Sequence, residues 1–306
     1  MPKTLLIHHN DLDGFSAGAQ AMMAFPQAEP LCLGYGDPSA VPGIDRLQEY
    51  DTVIIVDYTL PVESMKWLRD NRRFLWIDHH LSAIKLSQAN GYADAEGLRC
   101  EPGALICAAE LAWRFFQGER PLPRMLRLVG DQDTFRNSTT SSFTNEALPF
   151  LYGIQPELEK HAPAHFHDTD YPWKTPQDLE RDDICQKYIE KGTAIQEYNN
   201  YYNGTIAKEF AFERVLWGGK RVLCLNSPGH GSLRLQPAFD PARHDAMLLF
   251  SFDGEQWDYG LYAGSGDTNR IDCSAIAASY GGGGHKGAAG FTTKELLPGL
   301  LQEPKE

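Results

Sequence analysis

The chain has 306 residues, of which 42% are hydrophobic and 23% are charged, so it can bury a sizeable core and form two domains of about 100 to 200 residues each. No apolar run reaches the roughly 18 residues that cross a bilayer, and the first residues lack a basic segment before a long apolar stretch, so we expect a cytoplasmic protein that does not bind membranes. The formal net charge of -13 argues against long duplex nucleic acid as a partner, although carboxylates that bind divalent cations would still let a small phosphorylated substrate approach.

Four apolar runs in the first 80 residues alternate with segments of helical spacing, which indicates a mainly parallel sheet covered on both faces. The runs span 4–7, 31–35, 52–57 and 73–78, and the helical segments span 15–25 and 62–70. Three of the runs end in acids or histidines, at 8–13, at Asp57 and at 78–80. Because parallel strands bring their carboxyl ends to one edge, we expect these groups to converge in one cleft.

The middle of the chain is predicted to finish this first domain, which we place at 1–178. Two helices, at 103–117 and 124–129, lead to the sequence GDQDTF at 130–135. Residues 136–176 show no clear periodicity, so we expect an irregular insertion. Residues 179–210 have the pattern of a long linker helix.

A second, smaller α/β domain is predicted over 211–306, with the active-site cleft between the two domains. Two short apolar runs are separated by Gly218-Gly219, and a strong hairpin pattern centres on Asp253-Gly254. The domain ends with a glycine-rich segment at 281–291 and a helix near 294–302. The six cysteines (Cys32, Cys100, Cys107, Cys185, Cys224 and Cys273) are scattered among mostly apolar neighbours, so we expect buried reduced thiols.

The acids and histidines at the strand ends are hard oxygen and borderline nitrogen ligands, which suit Mn²⁺ or Mg²⁺ better than a structural zinc. A two-metal site needs a bridging carboxylate, and Asp57 is the natural candidate. Each group also has an ordinary explanation. The DLDG sequence is a common turn, Asp57 could be a helix N-cap before Pro61, 79–80 could be surface histidines and GGGGH could be a linker. Their coincidence at one sheet edge favours the metal site.

Together these motifs resemble the DHH phosphoesterase superfamily, including its DHH-associated C-terminal domain. The motifs are HHNDLDG at 8–14, Asp57 in IIVDYT, Asp78-His79-His80 in WIDHH, GDQDTF at 130–135 and GGGGHKGAAGF at 281–291. The resemblance covers roughly 1–135 and 211–292.

The resemblance implies two divalent metal ions, Mn²⁺ or alternatively Mg²⁺, and a role for each motif residue. The implied ligands are His9 and Asp11 for one ion, Asp13, His79 and Asp131 for the other, and Asp57 between them. His80 would stabilise charge on the phosphoryl oxygens and Asp78 would orient the neighbouring histidines. The backbone of Gly282, Gly283 and Gly284, together with His285, would hold a phosphate or a terminal nucleotide.

Three positions depart from the pattern of the superfamily. Many members have a histidine four residues before the first Asp of the DxD pair, where this chain has Ile7, so His9 is the substitute and His8 should point to the other face. In GDQDTF both Asp131 and Asp133 are candidates, and the spacing to Phe135 favours Asp131. In many members an Arg-Ser pair precedes the glycine run, whereas in this chain Arg270 is followed by Ile271. Arg270 is nevertheless a candidate phosphate clamp.

The implied activity is closest to that of short-oligonucleotide hydrolases of the nanoRNase B type. We expect cleavage of RNA of roughly two to five nucleotides, including pGpG, to 5′-mononucleotides, with the size limit set by the acidic surface. The alternatives are a 3′-phosphoadenosine 5′-phosphate phosphatase, a RecJ-like single-strand exonuclease and a non-catalytic nucleotide sensor. The sequence leaves open a homodimer, a second metal site in HAPAHFHDTD at 161–170, and stacking of bases on four aromatic residues, although packing in the core or on a helix is the favoured interpretation for most of them. Those aromatic residues are Trp173, Tyr198, Tyr201 and Tyr202.

Overall fold

Four parallel strands form the first sheet of the protein, as the apolar runs predict. The computed structural model describes residues 2–34, 38–101, 103–160, 166–168, 171–228, 231–264 and 270–301. The strands are β1 (Thr4–His9), β2 (Glu29–Leu33), β3 (Thr52–Val56) and β4 (Arg73–Ile77). Their order is β2-β1-β3-β4, so β1 and β3 lie in the centre and all carboxyl ends meet at one edge.

Helices join the strands and cover the sheet, which buries β1, β3 and β4 on both faces. They are α1 (Leu12–Ala24), α2 (Ile44–Leu47), α3 (Val62–Asn71), α4 (Leu81–Asn90), α5 (Ala108–Gln117) and α6 (Arg124–Asp133). A short 3₁₀ turn at Pro38–Ala40 precedes α2. The core on one face contains Leu5, Val53 and Trp76.

The prediction of an irregular insertion over 136–176 is wrong for 143–160. This segment forms a π-helical turn (Phe143–Ala147) that continues into α7 (Leu148–Lys160). Phe143, Phe150 and Ile154 are buried. The sequence did not indicate this helix because it contains two prolines and a glycine, residue types that ordinarily disfavour helices. They are Pro149, Pro156 and Gly153.

Gly153 and Gly192 let α7 pack closely on the following long helix. This helix, α9 (Asp182–Phe210), comes after α8 (Pro176–Leu179) and corresponds to the predicted linker. A Cβ atom at Gly153 would overlap the carbonyl oxygen of Tyr188, and one at Gly192 would overlap that of Pro149. The chain divides into two compact units after Gln196, so the first part of α9 belongs to the first unit.

The second unit is built on a mixed six-stranded sheet with the order β5-β6-β7-β8-β10-β9. Its elements are β5 (Phe212–Leu216), β6 (Lys220–Asn226), β7 (Ala246–Phe252), β8 (Trp257–Ala263), α10 (Cys273–Ser279), β9 (Gly283–Gly284) and β10 (Ala288–Thr293). Two 3₁₀ turns lie at Ser232–Arg234 and Gln236–Ala238. Only the β6–β7 pair is parallel among the described strands of this sheet.

The predicted hairpin at Asp253-Gly254 is confirmed. Asp253 Oδ1 accepts hydrogen bonds from the backbone N–H groups of Glu255 and Gln256, both at 2.8 Å, and Gly254 has φ +110°. The predicted last helix is wrong over 294–301, where the chain forms turns and bends. Pro298 and Gly299, which has φ +93°, interrupt any helix there.

The cysteines are free thiols as predicted. All six are unpaired with one another, and all except Cys32 are buried. The α/β class, with a mainly parallel first sheet and a smaller second unit, is likewise confirmed. None of the described helices is both long and apolar enough to cross a membrane.

Candidate metal centre

The carboxyl edge of the first sheet gathers most of the predicted ligands. His9 ends β1, Asp57 follows β3, and Asp78, His79 and His80 follow β4. Three overlapping groups have nitrogen and oxygen atoms within 4.8 Å of one another. The groups are His9, Asp11 and Asp57; Asp13, His79 and Asp133; and Asp57, His79 and His80.

Asp11 connects the end of β1 to the start of α1. It is the N-cap of α1, where Oδ1 accepts a hydrogen bond from the Gly14 N–H at 2.8 Å, and Oδ2 lies 2.8 Å from His9 Nδ1. Burial alone would raise the pKa of Asp11, but the adjacent His9 and the N-cap hydrogen bond lower that pKa below its usual range. Gly14 is required here because a Cβ atom would overlap the backbone of His9.

Asp13 is held by the amino terminus of α5. Its Oδ2 and Oδ1 accept hydrogen bonds from the Ala108 and Ala109 N–H groups, both at 2.7 Å. Oδ2 also lies 3.6 Å from His79 Nε2. The amino end of α5 is a favourable place for a carboxylate, and the two hydrogen bonds fix the orientation of Asp13 as a candidate ligand.

Asp57 joins the three groups. Oδ1 is 3.4 Å from His79 Nε2 and 3.8 Å from His80 Nδ1, whereas Oδ2 is 3.8 Å from His9 Nδ1. Both oxygens are buried and accept no hydrogen bond from the residues that the structure describes. Burial and the charges of the nearby acids raise the pKa of Asp57 well above its usual value. Divalent cations between these oxygens and the histidines would compensate that charge.

The backbone of Asp57 is also unusual, with φ +54°. A left-handed conformation is uncommon outside glycine and clusters at functional sites. The N-cap alternative is wrong, because α3 begins after Pro61 and has no side-chain cap.

In the DHH triplet, the buried aspartate contacts the second histidine. Asp78 is fully buried, and its Oδ1 accepts a hydrogen bond from the His80 N–H at 3.0 Å and lies 2.8 Å from His80 Nδ1. Thr59 Oγ1 donates to Asp78 Oδ2 at 2.7 Å. Although burial opposes protonation of His80, the charge of Asp78 raises the pKa of His80 to about 9. Burial lowers the pKa of His79, which favours the neutral imidazole that a metal ion binds.

In the fourth motif the structure brings Asp133 to the cluster, whereas the spacing favoured Asp131. Asp133 Oδ2 lies 3.5 Å from His79 Nε2, and Asp131 Oδ1 accepts a hydrogen bond from Arg136 Nε at 2.6 Å. The two residues lie on the last turn of α6, where positions two apart point to different faces. Asp131 therefore faces away from the candidate ligands.

Arg136 and Glu110 were not identified from the sequence. Arg136 donates to both oxygens of Glu110 at 3.1 and 3.0 Å, as well as to Asp131. Glu110 lies in the first turn of α5, and its Oε2 accepts a hydrogen bond from the Cys107 N–H at 3.3 Å. This network ties the start of α5, which holds Asp13, to the end of α6, which carries Asp133.

His8 lies on the opposite face of β1 from His9, as the strand alternation predicts. It is fully buried against Phe15 and Phe166, with ring centroids 5.2 and 5.3 Å away, and belongs to none of the three groups. Burial lowers the pKa of His8 to about 4. It is therefore a neutral core residue.

The glycine-rich segment of the second unit forms a tight hairpin. Gly283 and Gly284 pair with β10, and Gly284 has φ +137°. A Cβ atom at Gly282 would overlap the carbonyl oxygen of Gly290. Arg270 is ion-paired with Asp245 at 3.0 Å, so its guanidinium already has an anionic partner. His285 donates its backbone N–H to the Ala288 carbonyl at 2.7 Å.

Most of the HAPAHFHDTD segment lies outside the described residues, including His161, His165 and Asp170. Phe166 from this segment is buried against His8. Of the aromatic residues singled out, Trp173 is buried, whereas Tyr198, Tyr201 and Tyr202 are exposed on α9.

Comparison of the sequence with known proteins gives a distant relative but no family model. No family model matches the chain. A curated relative, an uncharacterized protein from Acanthamoeba polyphaga mimivirus, is 25% identical over 262 residues, which are 81% of this chain and 54% of the relative. The chain thus spans about half the length of that relative.

Two solved structures share the fold at low identity. One is described as the DHH domain of a member of a family of ribosomal proteins, with a TM-score of 0.62, 14% identity, and coverage of 94% of this chain and 82% of that one. The other is RecJ in complex with Mn²⁺ from Thermus thermophilus, with a TM-score of 0.51, 14% identity, and coverage of 95% of this chain and 49% of that one.

Proposed function

Because the chain has the fold of the DHH phosphoesterases, we propose that it is a metal-dependent phosphodiesterase that hydrolyses short oligonucleotides. The proposed substrates are RNAs of about two to five nucleotides, including pGpG, and the products are 5′-mononucleotides. The observation that carries the proposal is the position of Asp57, whose two buried oxygens face His9 on one side and the DHH histidines on the other.

The residues fit two divalent cations that share one carboxylate. His9 and Asp11 would hold one ion, Asp13, His79 and Asp133 would hold the other, and Asp57 would contact both. Such a pair of cations lowers the pKa of a water molecule and neutralises charge on a phosphodiester. With only oxygen and imidazole ligands, the site suits Mn²⁺ or Mg²⁺.

The residues around this pair would orient the substrate and stabilise its charge. In the metal-free protein Asp78 raises the pKa of His80 to about 9, which favours a protonated imidazole next to Asp57. That charge would stabilise the phosphoryl oxygens as their negative charge grows during hydrolysis. Thr59 and Asp78 keep the imidazole in place.

The charge of the chain supports short substrates. A net charge of -13 repels a long polyanion, so attraction for phosphates is limited to the vicinity of bound cations. A substrate with few phosphates loses little from this repulsion, whereas each further phosphate of a long strand adds to it.

The test is hydrolysis of end-labelled RNA from two to ~24 nucleotides with Mn²⁺, Mg²⁺ or EDTA, with pGpG and 3′-phosphoadenosine 5′-phosphate alongside. Asp57→Asn is the matched inactive variant. Rates that fall steeply beyond about five nucleotides support the proposal. Equal rates for all lengths would instead indicate a RecJ-like exonuclease. Turnover of 3′-phosphoadenosine 5′-phosphate alone would indicate a phosphatase, and no turnover of any substrate would indicate a nucleotide sensor.

A further inference from the structure

The second half of α9 exposes three tyrosine rings to solvent. Tyr198 is 64% exposed, Tyr201 is 74% exposed and Tyr202 is 45% exposed. The rings of Tyr198 and Tyr202, which are one helical turn apart, stack with centroids 6.1 Å apart at 11°. No charged residue lies between Glu197 and Lys208, although 23% of the chain is charged. Enrichment in tyrosine and depletion of charge are typical of the centre of a protein–protein interface.

Gly204, in the same half of α9, has no packing role among the described residues. Glycine is unfavourable in the interior of a helix. A Cβ atom at Gly204 would meet no described atom within 4 Å, whereas one at Gly192 of the same helix would overlap the Pro149 carbonyl oxygen of α7. The close approach of a second helix would therefore give Gly204 the role that α7 gives Gly192.

One stripe along this half of α9, which we call the α9 stripe, consists of Glu197, Tyr201, Gly204 and Lys208. Their spacing of four, three and four residues places them on the same side of an α-helix. All are exposed except Gly204, which is partly exposed. Neither Glu197 nor Lys208 has an ion-pair partner among the described residues. The stripe thus presents an acid, a large ring, a position without a side chain and a base, in that order.

The α9 stripe is complementary to itself when two copies of the helix run antiparallel. If a two-fold axis passes midway between Tyr201 and Gly204, Tyr201 of one copy faces Gly204 of the other, and Glu197 faces Lys208. The ring then occupies the space above the glycine, and each acid meets a base. In a two-fold interface each of these contacts occurs twice. A parallel pair would instead set Tyr201 against Tyr201 and Glu197 against Glu197.

We propose that the α9 stripe is the contact between two copies of this chain, packed antiparallel about a two-fold axis. Bases stacked on the tyrosines fit less well, because such surfaces combine aromatic rings with a positively charged groove. Within 197–210, Lys208 is the only basic residue and is accompanied by Glu197 and Glu209. A helix of this length spans only about 21 Å at 1.5 Å per residue, so we expect a dimer that dissociates in the micromolar range.

Sedimentation velocity of the full chain from about 1 to 100 µM tests the contact. The wild-type protein should pass from monomer to dimer over this range. Tyr201→Ala should weaken dimerisation by at least roughly tenfold, since each dimer loses two buried rings. The matched control is Phe252→Ala, which removes a ring that is 53% exposed elsewhere in the second unit and should leave dimerisation unchanged. A wild-type protein that stays monomeric at every concentration would overturn the proposal.

Gly204→Gln separates the contact from the stability of the fold. Glutamine is the better helix former, and a Cβ atom at this position meets no described atom within 4 Å. The Tm of dilute, monomeric protein should therefore equal or exceed that of the wild type. Because the longer side chain occupies the place of the partner's ring, dimerisation should weaken by at least roughly tenfold. A variant that dimerises as well as the wild type would contradict the pairing of Tyr201 with Gly204.

An exchange of the two charges tests the orientation of the helices. Glu197→Lys and Lys208→Glu alone each place like charges opposite one another and should weaken dimerisation roughly three- to tenfold. The double variant keeps the net charge of the wild type, restores opposite charges and should dimerise normally. A double variant as weak as the single ones would rule out the antiparallel pair. A monomeric wild-type protein whose binding of oligouridine is lost in Tyr201→Ala would overturn the dimer contact and assign the tyrosines to base stacking.

Discussion

Asp57 combines a left-handed backbone with a buried carboxylate whose oxygens accept no hydrogen bond from the described residues. In the metal-free protein this group is unfavourable, because burial and neighbouring acids raise its pKa and oppose ionisation at neutral pH. Asn keeps the shape and tolerates the left-handed conformation, whereas Ala loses the amide and adds backbone strain.

We therefore expect Asp57→Asn to raise the free energy of unfolding in EDTA by about 1–3 kcal/mol while abolishing Mn²⁺-dependent hydrolysis. Asp57→Ala should gain less in EDTA, by about 1 kcal/mol, because of its backbone strain. Urea unfolding of the three proteins, with EDTA and with Mn²⁺, measures both effects. A loss of stability in EDTA for Asp57→Asn would mean that the carboxylate is stabilising without metal.

Asp131 and Asp133 are two residues apart but have different partners, and their Asn variants should fail in different ways. Asp133→Asn removes an oxygen beside His79 and should weaken Mn²⁺ binding about a hundredfold or remove one ion, with little change in stability. Asp131→Asn removes the 2.6 Å partner of Arg136 and should cost about 1–3 kcal/mol, with Mn²⁺ stoichiometry unchanged.

Titration calorimetry and urea unfolding separate these two outcomes. If Asp131→Asn instead removed an ion while Asp133→Asn bound the usual number, the assignment from the geometry of α6 would be reversed. Both variants replace one carboxylate of the same motif by an amide, so each serves as the control for the other.

At the level of elements, the β9–β10 hairpin allows the structural role of the glycine run to be separated from binding. A Cβ atom at Gly282 would overlap the Gly290 carbonyl, whereas one at Gly283 meets no atom within 4 Å among the described residues. Gly282→Ala should therefore destabilise the second unit by about 1–3 kcal/mol, and Gly283→Ala by less than about 0.5 kcal/mol.

Thermal unfolding checks the stability of both variants, and KM for pGpG checks binding. A raised KM in the stable Gly283→Ala variant would support the phosphate-binding role that the resemblance implies. An unchanged KM would leave the glycine run with a purely structural role, because its sequence is already explained by the close approach of two backbones.

Strand ends were the part of the fold that the sequence predicted best. Continuous apolar runs identify β1, β3 and β4, and the period of two along β1 separates buried His8 from His9 at the site. These signals are local, and each lies within a few residues of the side chain that it positions. The sequence therefore predicted which groups meet at the sheet edge.

Helix phase and long-range partners were not predictable in the same way. The choice between Asp131 and Asp133 depends on where α6 ends and on its rotation, which a motif spacing does not determine. Arg136 binds Glu110, 26 residues away, and no local pattern indicates that pair. In α7, Pro149 and Gly153 disguise a helix that tertiary packing stabilises.

On the scale of the whole molecule, metal binding and protonation compete for the same buried carboxylates. Burial and the charge of Asp13 raise the pKa values of Asp57 and Asp133 above their usual range. The folded metal-free protein therefore binds protons at these groups that the unfolded chain has released. Their contribution to stability is present at low pH and is lost as the pH rises through the raised pKa values.

Under the proposed function, Mn²⁺ would displace these protons and restore the stability that ionisation removes, so its effect on Tm should grow with pH. At one fixed, subsaturating Mn²⁺ concentration, we expect a larger increase in Tm over the EDTA sample at pH 8 than at pH 6. Titration calorimetry in two buffers of different ionisation enthalpy should show that Mn²⁺ binding releases protons, in a number that falls as the pH rises through the raised pKa values. In Asp57→Asn the pH dependence of the Tm increase should be reduced, because one of the two proton-binding carboxylates is gone. A Tm increase that is equal at both pH values would show that Mn²⁺ binds to groups other than the buried acids around His79.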